Sequence, residues 1–197
     1  LHVDTELCAC GIVARDLLPH DGRALEVAEV VCDYDLWKNR DPRAAILARV
    51  LTREENREYV RDCLIRGIFS DERIEQQFHE IDREMQAMID RSMRDARIYE
   101  NKYRIAFTPL YGHPSETAYA LRERYRSDIE IIVSPSGRFS IRSVPPISHL
   151  IARQFRGGGH PHAAGGNFSF NLIDRAIFWL FKRTRHFNRL AKVANSI

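Results

Sequence analysis

At 197 residues, with 44% hydrophobic and 29% charged side chains, the chain can form one large domain or two small ones and has an ordinary globular composition. The net charge of +3 is too small to argue nucleic-acid binding by itself. No apolar run approaches the ~18–20 residues of a membrane span, so no membrane partner is expected.

Cys8, Cys10, Cys32 and Cys63 do not suggest a disulfide framework in a chain this long. They read as buried thiols of a cytoplasmic protein. Cys8 and Cys10 lie two apart on an expected helix, project in different directions and make a poor metal pair. The chain opens at Leu1 rather than Met, which suggests a C-terminal piece of a longer protein.

Residues 5–66 read as mostly helical. Thr5 can cap a first helix whose apolar face is Leu7, Cys10, Ile12, Val13 and Leu17, ending at Pro19. A second helix is expected over Gly22 to Val31, followed by Asp33-Tyr34-Asp35-Leu36-Trp37, where Leu36 and Trp37 anchor the turn in the core. Asp41-Pro42 opens a third helix.

From Asp71 to about Arg97 the pattern is one long helix, with Ser70 as its N-cap and Asp71 and Glu72 in the first turn. Ile74, Phe78, Ile81, Met85, Met88 and Met93 form a narrow apolar stripe on a charged rod. Such a rod suits a connector at a domain boundary; a coiled-coil seam is the competing reading.

After residue 101 the rhythm alternates between strand and helix. Tyr103 to Leu110 predicts a strand and Pro114 to Tyr125 a helix. Ile129 to Val133 and Phe139 to Val144 predict strands joined by the turn Ser134-Pro135-Ser136-Gly137. A helix at 147–155, a glycine run, a strand at 167–170 and one final helix complete a small α+β domain. Ala176 to Phe181 reads as the buried stripe of that helix. Lys182, Arg183, Arg185, His186, Arg189 and Lys192 crowd the same region, either as a solvated face or as a footprint for a polyanion.

Arg156-Gly157-Gly158-Gly159-His160-Pro161-His162-Ala163-Ala164-Gly165-Gly166 is the most informative stretch. Consecutive glycines allow positive φ and let several amides converge on an anion, while Arg156 and the two histidines add phosphate donors. The expected geometry is a cradle at a helix-to-strand turn. The bland alternative is a flexible hinge.

Phe139-Ser140-Ile141-Arg142-Ser143, Ile147-Ser148-His149-Leu150-Ile151-Ala152 and the glycine-histidine run together resemble the C-terminal domain of DHH-family phosphoesterases. Less specifically, Asp4-Thr5-Glu6-Leu7-Cys8-Ala9 and Val30-Val31-Cys32-Asp33-Tyr34-Asp35-Leu36-Trp37 are similar to the end of that family's catalytic domain. The resemblance implies an α/β (α+β) protein with three parts. Residues 1–68 would be the helical remnant of an α/β catalytic domain, 69–100 a linker helix, and 101–197 a small mixed-sheet substrate-binding domain.

The resemblance also implies the chemistry. Two Mn²⁺ ions, with Mg²⁺ as the alternative, activate a water against a phosphoester of a short single-stranded RNA or DNA or a nucleotide. Asp33 matches a metal-binding aspartate and Arg142 a phosphate-gripping arginine. Gly158, Gly159 and His160 match the substrate cradle, with His162 a supporting donor. Polyphosphate or cyclic-dinucleotide hydrolysis and a non-catalytic RNA-binding module are the rival readings, and a homodimer is an open alternative. Phe155 and Phe168 are candidate base-stacking rings or core residues. The family's early Asp-x-Asp motif and its Asp-His-His triplet are absent, so Asp33 alone cannot hold two cations, and no catalytic residue is assigned.

Overall fold

The computed structural model describes residues 6–36, 38 and 40–197. Thr5 and Trp37, expected to cap a helix and to anchor a turn, lie outside them. The chain divides into two units between Glu84 and Met85, within its longest helix.

The first unit is helical. Helix α1 (Ala9–Leu17) starts at Cys8, which caps it rather than lying on it, and buries only Gly11 and Ala14. Cys10, Val13 and Leu17 are exposed, against the expected apolar face. The reason is close approach: a Cβ on Gly11 would lie 2.7 Å from Cys32 Sγ, so the helix packs through its smallest residues. Cys8 and Cys32 form a disulfide with Cα atoms 5.1 Å apart, which corrects the expectation of free thiols; Cys10 and Cys63 are free.

Helix α2 (Gly22–Asp35) runs a full turn past the expected Val31, because Asp33 and Asp35 are accommodated in its last turn. Helix α3 (Pro42–Val50) begins at the predicted Asp41-Pro42 signal. A 3₁₀ turn (Glu54–Asn56) and helix α4 (Arg57–Ile65) follow. Val30, Leu47, Val50, Val60, Cys63 and Ile74 form the core of this unit.

Helix α5 (Glu72–Arg94) starts one residue later than a Ser70 cap requires. Asp71 takes that place: its carboxylate accepts the Ile74 amide at 2.9 Å, while Ser70 reaches Glu75 at 3.1 Å. The buried stripe is Ile74, Ile81, Met85, Ile89 and Ser92; Met88 is exposed.

The second unit is built on a mixed sheet of strands β1 (Arg97–Glu100), β2 (Arg104–Pro109), β3 (Ile129–Val133), β4 (Arg138–Ser143), β5 (Gly158–His160) and β6 (Ala163–Asn167). The order across the sheet is β1-β2-β3-β4-β6-β5, with β2 and β3 parallel and the other neighbours antiparallel. Helix α6 (Pro114–Tyr125) is the crossover that the parallel pair requires. Helices α7 (Ser148–Arg153), α8 (Leu172–Phe181) and α9 (Arg185–Ser196) complete the unit.

Four expectations change here. Strand β1 occupies residues assigned to the end of the long helix, because α5 stops at Arg94. The last strand is β6, not 167–170, and the single final helix is two, broken at Lys182 with φ +54°. Within Ala176 to Phe181 only Phe178 is buried; Trp179, Leu180 and Phe181 are 70%, 60% and 61% exposed. Residues of α7 and α9, notably Ile151, Phe187, Leu190 and Ala194, already fill the core against Phe107, Ile131 and Ile141, leaving α8 only Phe178 to insert.

Candidate functional site

The glycine run is not a helix-to-strand cradle. It forms the edge strand β5 and a tight hairpin into β6, pairing Gly158 with Gly165, Gly159 with Ala164 and His160 with Ala163. An edge strand leaves alternate amides without a ladder partner, so it can still offer backbone donors.

Register shows which side chains share a face. Directly paired residues point to the same side of a sheet. Glu130, Arg142, Ala163 and His160 therefore form one row across β3, β4, β6 and β5. Ile132, Ser140, Gly165 and Gly158 form the next row. Phe139 and Ile141 alternate with these residues and belong to the core on the other face. Arg142 and His160 thus stand two strand spacings apart, about 10 Å, with Ala163 between them and glycines beside it.

Helix α6 covers part of this face. Its Arg122 pairs through two hydrogen bonds with the Glu130 carboxylate, and its buried Thr117, Ala118 and Leu121 face the sheet. Beyond β4 the face is open: Gly158 and His160 are exposed, and a Cβ on Gly158 would meet nothing within 4 Å.

Arg142 is the half-buried cation at the border of this tray. Its guanidinium donates to Ser140 Oγ, the Ile141 carbonyl and Ser115 Oγ, each at 3.1 Å, so all three of these acceptors are neutral. The buried Glu130 carboxylate pairs with Arg122 instead. Burial, helped by the charge of Arg122 and opposed by Glu116 and Glu130, lowers the Arg142 pKa from its ordinary value. The side chain nevertheless remains protonated. A half-buried cation of this kind gains from an anion that brings its own negative oxygens.

Ser115 sits in the first turn of α6, whose N-cap His113 adopts φ +49° and makes no side-chain capping bond. The positive end of that helix therefore points toward the same region as Arg142.

His162 lies in the β5–β6 turn. Its Nδ1 is 3.1 Å from the Ser143 carbonyl, so that nitrogen must donate the proton. Ser143 N donates to His162 O and Ser148 N to Pro161 O, at 3.1 and 2.8 Å. His162 thus ties the hairpin to β4. Phe155 and Phe168 are 4% and 3% exposed and meet edge to face in the core, which removes them as base platforms.

Asp33 stands in the first unit, 8% exposed, at the wall of a concavity of ≈ 930 Å³ that Arg15, Lys38, Arg40 and Arg43 also line. Its carboxylate accepts the amides of Arg40 at 2.9 Å and Asp41 at 3.1 Å, fastening the entry to α3. Among the described residues no group of three or more His, Cys, Asp or Glu is placed to hold a metal ion. By themselves the described residues of this chain therefore form no two-metal site, and within it the Asp33 carboxylate is engaged by two loop amides.

No family model matches the chain, and no curated protein matches it. Solved structures do. The pGpG-specific phosphodiesterase PggH from Vibrio cholerae is similar over 82% of this chain and 66% of its own, at 15% identity and a TM-score of 0.52. An exopolyphosphatase-related protein from Bacteroides fragilis matches 80% of this chain and 48% of its own, at 14% identity and a TM-score of 0.47. The DHH domain of a member of a ribosomal-protein family matches 86% of this chain and 41% of its own, at 14% identity and a TM-score of 0.43. The Vibrio likeness establishes a shared fold. The chain spans less than two thirds of the length of each of these three proteins.

Proposed function

We propose that this chain carries the substrate-holding face of a metal-dependent DHH-type phosphoesterase that hydrolyses phosphoesters of short oligonucleotides or nucleotides. The observation that carries the reading is Gly158, an exposed glycine whose missing side chain no neighbour requires. Its bareness lies in the row beside Arg142 and His160. A phosphate on this tray receives two guanidinium hydrogens from Arg142, an imidazole hydrogen from His160 and open amides of the edge strand.

The role is gripping and orientation. Hydrolysis in this class uses a water activated by Mn²⁺ or Mg²⁺, and the described residues of this chain form no cluster that would hold such an ion by themselves. The fold shared with a pGpG-specific phosphodiesterase makes a linear dinucleotide the first substrate to test. A second reading, a non-catalytic nucleotide-binding module, draws on the same lack of a metal cluster among the described residues.

Calorimetric titration of the chain with pGpG tests the proposal. Arg142→Ala is expected to weaken binding roughly ten- to a hundredfold, the effect of losing a charge-assisted pair. Unchanged affinity in that variant removes the site. Nucleotide release by the whole encoded protein with Mn²⁺, and none with chelator, separates the enzyme from the binding module.

A further inference from the structure

Helix α8 is an apolar rod lying on a protein that barely uses it. Asp174 and Phe178, one turn apart, are its buried residues. On the opposite side Leu172, Ile173, Trp179 and Leu180 are 82%, 69%, 70% and 60% exposed. At about 100° per residue these side chains fan across one broad face centred on Ala176. Scattered exposed hydrophobics are normal, but a contiguous face of this kind marks a contact surface.

Charge selects the partner. Arg175 on α8 and Lys182 and Arg183 at its C-terminal end are its neighbouring cations, while Arg185 turns to Asp174 on the buried side and Arg189 lies over the Phe155 ring; from Asn171 to Ile197 Asp174 is the one acidic side chain. Asp174 is itself buried in the capping box with Asn171 and faces His186 and Arg185. A second copy docked face to face would bring like charges together, so the surroundings oppose self-association. A nucleic acid would satisfy the cations but give Leu172, Ile173 and Leu180 nothing to bury against. An anionic bilayer surface satisfies both, taking the apolar face into the headgroup boundary while lysine and arginine stay at the phosphates. The helix has ten residues, about 15 Å long, half the ~30 Å hydrocarbon core, so it can lie in the interface but not cross it.

We infer that α8, with the basic residues around its C-terminal end, is an interfacial helix that seats this unit on anionic lipid. The surface is independent of the nucleotide-binding reading.

Sedimentation of the full chain with lipid vesicles tests it. Vesicles of phosphatidylcholine with phosphatidylserine are expected to carry the protein down, and phosphatidylcholine alone is not. Raising the salt should release it. Trp179→Ser with Leu180→Ser, and separately Arg183→Glu, should each weaken partition about tenfold. Circular dichroism of the variants should match the parent, since these side chains are exposed. Failure of the parent chain to bind phosphatidylserine vesicles overturns the inference. So does equal binding by all variants, or self-association through α8 in place of lipid binding.

Discussion

A methyl group on Gly159 would lie 2.6 Å from Ala164 Cα, and the backbone there has φ +142°. The same group on Gly158 would touch nothing within 4 Å. Gly157 resembles Gly159, since its Cβ would run into the Gly165 carbonyl. Two of three consecutive glycines are therefore demanded by the hairpin, and the middle one is free for another purpose. Gly159→Ala is expected to lower folding stability by about 1–3 kcal/mol, measured by thermal or urea denaturation. Gly158→Ala should leave stability within about 0.5 kcal/mol of the parent yet weaken nucleotide binding, because its methyl group stands where the phosphate approaches. A binding-neutral Gly158→Ala contradicts the site. The sequence singles this stretch out through its composition, three glycines followed by two histidines. It does not reveal which glycine matters, because that depends on the β5–β6 register. Arg142 and Asp33 separate for a similar reason. The sequence shows an arginine and an aspartate in suggestive strings, and only their hydrogen-bond partners show one cation among neutral acceptors and one carboxylate already holding two amides.

At the level of elements, Asp71 illustrates how one side chain fixes a helix start. It caps the Ile74 amide and accepts the Tyr59 hydroxyl at 2.5 Å. The Tyr59 bond, then the Ile74 amide, hold its carboxyl below the usual range, with burial opposing. A carboxyl lowered in the folded state stabilises above the unfolded-state pKa, and that contribution is lost as pH falls through the folded-state value. Asp71→Ala should cost about 1 kcal/mol at neutral pH and remove this share of the acid sensitivity. Denaturant titration at neutral and acid pH checks both; an acid profile unchanged by the substitution contradicts the assignment. The start of α3, the span of α6 and the β3–β4 hairpin were readable because Asp-Pro, Pro at a first turn and Ser-Pro-Ser-Gly are local signals. Strand β1 was not, since its short run Arg97-Ile98-Tyr99-Glu100 draws its definition from pairing with β2. Helix α8 misleads in the opposite direction: an apolar run implies burial only if another element is available to cover it, and α7 and α9 have taken that place.

Across the whole molecule, the two units have separate cores, one around Val60 and Leu47, the other around Ile131, Phe107 and Leu190. Ile131→Ala is expected to cost about 2–5 kcal/mol and to raise amide exchange across β2, β3 and β4, while α3 and α4 keep their protection. Uniform loss of protection in both units would show a single cooperative fold instead. The measurement closest to the central claim is an amide NMR titration of the chain with pGpG. The account predicts chemical-shift changes concentrated at Gly157 to His160, Ser115 and the Arg142 guanidinium, and their disappearance in Arg142→Ala. Changes confined to the first unit, or none at all at saturating nucleotide, would contradict it.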